Sequence, residues 1–553
     1  MPLTPETRRK VDQIRDYLYG GSYPDPMNNA EQMAFLFYFY LAEGQDRDNI
    51  SRARISKTPY TSVFEGDWTL KNPVNVPKEG QKTIPARKLR WLIWARALSG
   101  ENLVRFVRDE VFPFYSAVAD RSAVNFMDGA RLGIDDPTVL TQIINLVDEL
   151  RLDQADTDTK GDLFEHVLRQ ISQAGELGQF RTPRHIIRAI VQMIDPKIGE
   201  TVYDPAAGTA GFLVAAYDHI RLQSSSPNAT EEVELDGKKI KRGHGDELNA
   251  AKWDILGNRT FYGNDVDPKM VHLATMNLTL RGLPHVRIRR RNVLTTTLHV
   301  QQKDELGLPQ EGYSVVLANP PFSGRLDKDR VVDDVKVGTT TSTEILFLKY
   351  MMDSLKSPSS QRGEGGGRCG VIVPEGVLFG STGAHKELRR QLLENNRVEA
   401  VMSLPGEVFQ PYSGVKTSVL FLRKDRTAER VMFLHADDDG YKLNARHDAP
   451  IEDDDLPELV AAFQERTALW EKWAHREEGE EWTERWWFAD ADDIKANDYN
   501  LSAGRYRPLS QAQAAHRAPR ELLDELAAIE REIMEEIGGL RDALGERPSV
   551  GHS

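Results

Sequence analysis

The run Asn319-Pro320-Pro321-Phe322 closes an apolar stretch over residues 313–318. An apolar strand that ends in Asn-Pro-Pro-aromatic is a rigid polar clamp for a planar amine. Asn319 offers a side-chain carbonyl as acceptor. Pro320 and Pro321 fix φ and carry no N–H, so the local carbonyls keep a set direction. Phe322 supplies a flat face on which a ring can stack. The clamp suits the exocyclic amino group of a nucleobase. Such a nitrogen is a poor nucleophile because its lone pair is delocalised into the ring. Accepting both of its protons, on Asn319 and on the Pro320 carbonyl, favours a pyramidal nitrogen and aims the lone pair outward. Group transfer is then direct and in line, governed by positioning, and a base in a duplex must leave the stack to reach the pocket.

A second motif lies upstream: Asp204-Pro205-Ala206-Ala207-Gly208-Thr209-Ala210-Gly211-Phe212. It follows a strand-like segment and opens a helical one. Gly208 lets the backbone approach a ligand closely, and Gly211 permits tight helix–strand packing. Asp265 ends the next strand and is placed to take two ribose hydroxyls; Asn292, after the third, is placed to hydrogen-bond an adenine edge. The dinucleotide fingerprint is incomplete, its acid lies much more than about 20 residues downstream, and there is no phosphate-loop lysine. A cofactor with adenosine and no phosphates, S-adenosylmethionine, fits a hydrogen-bonding pocket of this kind. A third element, Gly178-Gln179-Phe180-Arg181-Thr182-Pro183, precedes a helical pattern over 186–194, and by itself Thr182-Pro183 reads as a plain helix cap.

These residues need a scaffold. Residues 1–155 read as an all-helical N-terminal domain, with three-and-four apolar spacing over 11–19, 29–43, 86–98, 99–109 and 138–150 and a polar connection over 51–81. Trp68, Trp91 and Trp94 are expected in its core. Residues 156–430 alternate strands (201–203, 260–264, 286–288, 314–318, 370–373, 398–403, 417–422) with helices (211–220, 268–280, 344–355, 384–395). That pattern predicts an α/β domain with a mostly parallel, seven-stranded sheet covered on both faces. Insertions over 223–258 and 357–368 interrupt it, the second reading as a mobile surface loop. Residues 431–510 read as an acidic C-terminal extension, and 511–553 as a C-terminal helical tail with an apolar stripe through Leu522, Leu526, Ile529, Ile533, Ile537, Leu540 and Leu544.

The 553-residue chain has a net charge of −14, which argues against a protein that alone grips a long stretch of duplex. Basic residues cluster locally at Lys238, Lys239, Lys241 and Arg242, and at Arg287, Arg289, Arg290 and Arg291. The longest apolar candidate, 33–41, falls well short of the about 20 residues needed to span a bilayer. No secretory signal is visible, and a cytoplasmic protein is expected. The single cysteine, Cys369, excludes an internal disulfide and a Cys-based zinc site. It sits at a buried strand edge without a following proline, so it reads as structural rather than as the nucleophile of cytosine-C5 chemistry. No metal site is expected.

The order Gly-Gln-Phe-x-Thr-Pro, Asp-Pro-x-x-Gly-Thr-x-Gly-Phe, Asn-Pro-Pro-Phe resembles the modification subunit of type I restriction–modification systems, a family of DNA adenine-N6 methyltransferases. Lys160-Gly161-Asp162-Leu163-Phe164-Glu165, Pro374-Glu375-Gly376-Val377-Leu378-Phe379, the segment from Gly414 to Phe421 and Asp498-Tyr499-Asn500-Leu501-Ser502 extend the similarity over most of the chain. The resemblance implies a Rossmann-like methyltransferase domain using S-adenosylmethionine. It implies that Gly178, Gln179, Phe180, Arg181, Thr182 and Pro183 contact the methionine moiety, that Gly208, Thr209 and Ala210 line the cofactor backbone beside Asp204, Ala206 and Gly211, that Asp265 holds the ribose, and that Asn319, Pro320, Pro321 and Phe322 are catalytic. Ala210 stands where the family commonly has Gly, and Asn292 where it often has Asp. Implied partners are double-stranded DNA, a specificity subunit that chooses the site, a second copy of the modification subunit and an optional restriction subunit. The stripe over 522–544 is the candidate contact for the specificity subunit, and the N-terminal domain the candidate for closing over DNA. The clamp by itself also admits a cytosine N4 amine, an RNA base or a protein glutamine amide, and a non-catalytic DNA-binding scaffold is the reading from another class.

Overall fold

The computed structural model describes residues 4–57, 59–75, 81–119, 127–173, 182–283, 285, 287–297, 308–322, 324–359, 365–410, 414–425, 429–444, 447, 449–476 and 482–508. Gly178 to Arg181 and the stripe over 522–544 lie outside them.

Short apolar runs bounded by polar turns build one central sheet. Its strands are β1 Val202–Asp204, β2 Phe261–Asp265, β3 Arg287–Arg290, β4 Val315–Ala318, β5 Arg368–Pro374, β6 Arg397–Ser403, β7 Thr417–Arg423, β8 Arg430–His435 and β9 Trp486–Asp490. Their order is β9-β8-β6-β7-β5-β4-β1-β2-β3. Neighbours from β5 through β4, β1 and β2 to β3 pair in parallel, as do β6 and β8; β7 runs antiparallel to both β5 and β6, and β9 antiparallel to β8. The expected mostly parallel sheet is present, and among the described residues it has nine strands rather than seven. The two additional strands come from the region expected to form a separate acidic extension. β8 buries Val431, Met432, Phe433 and Leu434, and β9 buries Trp486, Trp487 and Phe488, so both lengthen the sheet and share its core.

Strand residues buried on both faces read as unbroken apolar runs because helices cover both sides. β4, with four buried residues Val315, Val316, Leu317 and Ala318, is the clearest case. Helices Arg184–Ile194, Gly211–Gln223, Pro268–Leu280, Thr343–Ser354 and Gly383–Asn395 supply the cover. The insertion over 223–258 folds into the hairpin Thr230–Leu235/Lys238–Gly243 and helix Ala250–Asn258. Its turn, Asp236-Gly237, has φ of 53° and 80°, the left-handed pair of a two-residue hairpin turn.

The N-terminal domain is helical apart from a two-stranded ribbon, Asp67–Thr69 with Thr83–Pro85, which corrects the all-helical expectation. Buried Glu110 draws the connection inward by accepting from Trp68 Nε1 (2.9 Å), the Asn72 amide (2.9 Å) and Asn75 Nδ2 (3.0 Å). Trp91 and Trp94 are buried as expected, while Trp68 is partly buried against the same core. That core also takes Leu273, Met276 and Leu280 from helix Pro268–Leu280, whose opposite face packs on the sheet.

Candidate active site

β4, β1, β2 and β3 are adjacent, so their carboxyl ends bring Asn319, the glycine turn, Asp265 and Asn292 into one row. The carboxyl edge of a parallel sheet, where strand order reverses, is where α/β folds bind ligands. Here the reversal falls between β4 and β1.

The turn after β1 is held from within. Ala206 N–H donates to Asp204 Oδ1 (2.9 Å), Ala207 N–H to the Asn264 carbonyl (2.9 Å) and Gly208 N–H to Asp265 Oδ2 (3.0 Å). Gly208 has φ of 51°, and no atom lies within 4 Å of where its Cβ would be, so the turn faces open space. Ala210 is also left-handed, at φ 66°, and leads into helix Gly211–Gln223. Asp265 Oδ1 accepts from the Asp267 N–H (2.9 Å). Burial raises the Asp265 carboxyl, and the backbone donors of Asp267 and Gly208 oppose the rise. Asp204 is fully buried, and burial pushes it up to about 8. Asn292 Oδ1 caps the Leu294 N–H (3.0 Å), which commits one of its acceptor lone pairs to the loop.

At the other end of the row, Asn319 Nδ2 donates to Thr182 Oγ1 (2.9 Å). Its Oδ1 is buried and has no hydrogen-bond partner among the described residues. The helix start expected after Thr182 is observed, but Thr182 does not cap it: Pro183 is the N-cap residue, without a side-chain bond, and the Thr182 hydroxyl goes to Asn319 instead. Phe322 meets Phe409 in a T-shaped contact (5.4 Å, 87°). Cys369 is buried in β5 and burial pushes its thiol well above the ordinary value, consistent with a structural residue.

A cavity of about 420 Å³ opens at these strand ends and runs between helices Arg184–Ile194 and Gly211–Gln223. Of the expected residues, Thr182, Asp204, Ala206, Thr209, Gly211 and Asn319 line it; Pro183, Gly208, Ala210, Asp265, Asn292, Pro320, Pro321 and Phe322 do not. Three neighbours of this row escaped the sequence reading. Glu165 accepts from Arg184 Nη2 (2.5 Å) and from Asn277 Nδ2 (2.7 Å), and Asn277 also donates to the Thr209 carbonyl (2.9 Å). This chain of contacts ties the helix behind Thr182 to the glycine turn. Glu165 carried a faint signal, as the last residue of the Lys160–Glu165 motif; Arg184 and Asn277 carried none.

Residues 155–515 match the family model for N-6 DNA methylase. The chain belongs to this family. Among curated relatives, it is 30% identical over 480 residues to the type I restriction enzyme EcoEI methylase subunit of Escherichia coli, covering 84% of this chain and 87% of that protein. It is 27% identical over 396 residues to the EcoKI methylase subunit of Escherichia coli K12, covering 68% and 67%. Among solved structures, a chain from a study of complex assembly and conformational transition of the type I R-M system superposes with a TM-score of 0.65 at 25% identity, over 99% of this chain and 100% of that one. The methyltransferase subunit of the type I restriction-modification system of Streptococcus thermophilus shares the fold (TM-score 0.59, 16% identity, 91% and 98% coverage). The chain is thus a type I methylase subunit, an adenine-specific DNA methyltransferase, and its Asn-Pro-Pro-Phe run directly follows a central strand.

Proposed function

We propose that the strand-end row transfers a methyl group from S-adenosylmethionine to the N6 nitrogen of an adenine that has been turned out of DNA. The observation that carries this reading is the buried Asn319 Oδ1, without a partner among the described residues, on a carboxamide whose other end is tied to Thr182. A buried acceptor left unmet costs about 1–3 kcal/mol; an arriving amine proton would satisfy it. The Pro320 carbonyl takes the second proton, which turns the nitrogen's lone pair out of the ring. Phe322, braced on Phe409, stacks on the extruded base.

The residues fit the cofactor. The turn offers open space at Gly208 and no lysine for phosphate, as a nucleoside without phosphates requires. S-adenosylmethionine would supply an electrophilic methyl on a positively charged sulfur. Asp265 would hold the ribose, with lone pairs to spare beyond its two backbone donors. Asn292 would meet the adenine edge chiefly through Nδ2, since its Oδ1 is engaged with Leu294. Thr182 and Pro183, with Gly178, Gln179, Phe180 and Arg181, would hold the methionine end; Gly208, Thr209 and Ala210 would line the middle.

Choice of the DNA site belongs in this reading to a separate specificity subunit, in a complex with a second copy of this chain and an optional restriction subunit. The test is tritium transfer from labelled cofactor to DNA by the coexpressed complex. Asn319→Ala is expected to lower incorporation at least about 100-fold while complex assembly and cofactor binding persist. Undiminished labelling would overturn the assignment, and label on protein instead of DNA would redirect it to a glutamine amide.

A further inference from the structure

Helix Arg184–Ile194 carries His185 in its first turn, three residues beyond Thr182. The His185 ring reaches across to the C-terminal part of the chain. Its Nε2 lies 2.9 Å from Asp439 Oδ2, and His447 Nε2 lies 2.9 Å from that same oxygen. One ligand atom from each of the three residues falls within 4.8 Å of the others. The cluster is largely buried: the side chain of Asp439 is 0% exposed, that of His447 6% and that of His185 11%. It is also braced from outside. His185 stacks on Tyr441 (4.3 Å, 25°), and the Tyr441 N–H donates to Asp439 Oδ1 (3.2 Å).

We propose that His185, Asp439 and His447 form a zinc site that clamps the 439–447 segment to the helix behind Thr182. Two imidazoles and one carboxylate are a zinc donor set, with water as the fourth ligand. Two donors on bonds of about 2.0 Å at the tetrahedral angle stand roughly 3.3 Å apart. The two histidine–Asp439 separations of 2.9 Å need to open by a few tenths of an ångström, and the two imidazole nitrogens lie within 4.8 Å of each other. The His447 ring can follow, because its Nδ1 has no hydrogen-bond partner among the described residues.

Charge points the same way. Among the described residues the ion-pair partners of Asp439 are the two histidines, and the nearby Lys238 is taken by Asp454 (2.5 Å). A carboxylate fully removed from water with no fixed cation on it is expensive, and a dication would neutralise it. The clamp would fasten elements 254 residues apart in sequence, directly behind the residue that orients Asn319. The ligands touch neither base nor cofactor, so the ion positions and does not react.

The experiment uses the full chain purified without a metal-affinity tag and stripped with chelator. Zinc is titrated against a chromophoric competitor, content is read by plasma mass spectrometry, and cobalt(II) is substituted for its d–d spectrum. Expected are one zinc per chain with a Kd below about 1 µM, a tetrahedral cobalt spectrum, and a melting temperature raised by zinc. Asp439→Asn keeps the hydrogen-bonding shape and loses all three signals; His447→Gln does the same from a second position. Wild-type protein that holds no more zinc than Asp439→Asn, with cobalt showing only its aqueous spectrum, would overturn the proposal and leave the cluster a hydrogen-bonded staple.

Discussion

Asp204 ends β1 beside Asp265, sealed from water, and burial, reinforced by the Asp265 charge and opposed by the Ala206 N–H, raises its carboxyl from 3.8 to about 8. The folded protein therefore keeps a proton that the unfolded chain has released. Its stabilising effect is complete below the unfolded value and is lost as pH rises to about 8. Asp204→Asn preserves the acceptor for Ala206 and removes the titration. Thermal melts across that window should show the wild type losing stability relative to Asp204→Asn as pH rises; parallel curves would mean Asp204 is ionised throughout. Ala210, left-handed at φ 66°, carries a local cost of about 1–2 kcal/mol that glycine would avoid. At this scale the sequence was most legible where the chemistry is contiguous. Asn319 through Phe322 and the turn around Gly208 announce themselves, because a strand end and a tight turn each need several consecutive residues of set types. The Thr182–Asn319 bond joins positions 137 apart, and no local pattern encodes a contact of that kind. Thr182 therefore read as a cap.

Helix Pro268–Leu280 is buried on both sides, and ten of its residues, among them His272 and Asn277, are sealed from solvent. One face meets the sheet, the other the N-terminal core. His272 Nδ1 meets Glu31 (2.6 Å) and Lys269 meets Asp25 (3.4 Å) across that junction. Inside the helix, Asn277 donates to both Glu165 and the Thr209 carbonyl. Asn277→Ala strips a donor from each, and unmet buried acceptors cost about 1–3 kcal/mol apiece. It is expected to lower stability by about 2 kcal/mol or more and to weaken cofactor binding, read by denaturant melts and by cofactor titration; an unchanged cofactor affinity would detach Asn277 from the site. The strands of the catalytic sheet were legible as apolar runs between turn residues. β8 and β9 were not, because their short apolar cores sit inside acidic flanks that dominate any window of composition, and β9 pairs with a strand more than 50 residues before it. The Asp236-Gly237 hairpin was overlooked although its turn pair stands in the sequence: its strands are mostly charged, and apolar periodicity does not mark a surface ribbon.

The whole chain is acidic, with a net charge of −14. A chain of that balance needs another to supply most of the counter-charge for a long duplex, in keeping with delegated site choice. Deleting 520–553, whose stripe lies outside the described residues, is expected to abolish copurification with the specificity subunit while leaving cofactor binding intact; a complex that still forms would move that contact elsewhere. Charge also acts at the rim of the sheet. Among the described residues β3 has a neighbour on one side only, and three of its four positions are Arg287, Arg289 and Arg290. Arg287 lies over the Tyr262 ring (5.5 Å), and Arg290 donates to the Val266 carbonyl (3.4 Å). A bare ladder edge invites a stray strand from another molecule. A comb of guanidinium groups makes that docking repulsive for an identical copy, which keeps one sheet from zipping onto another.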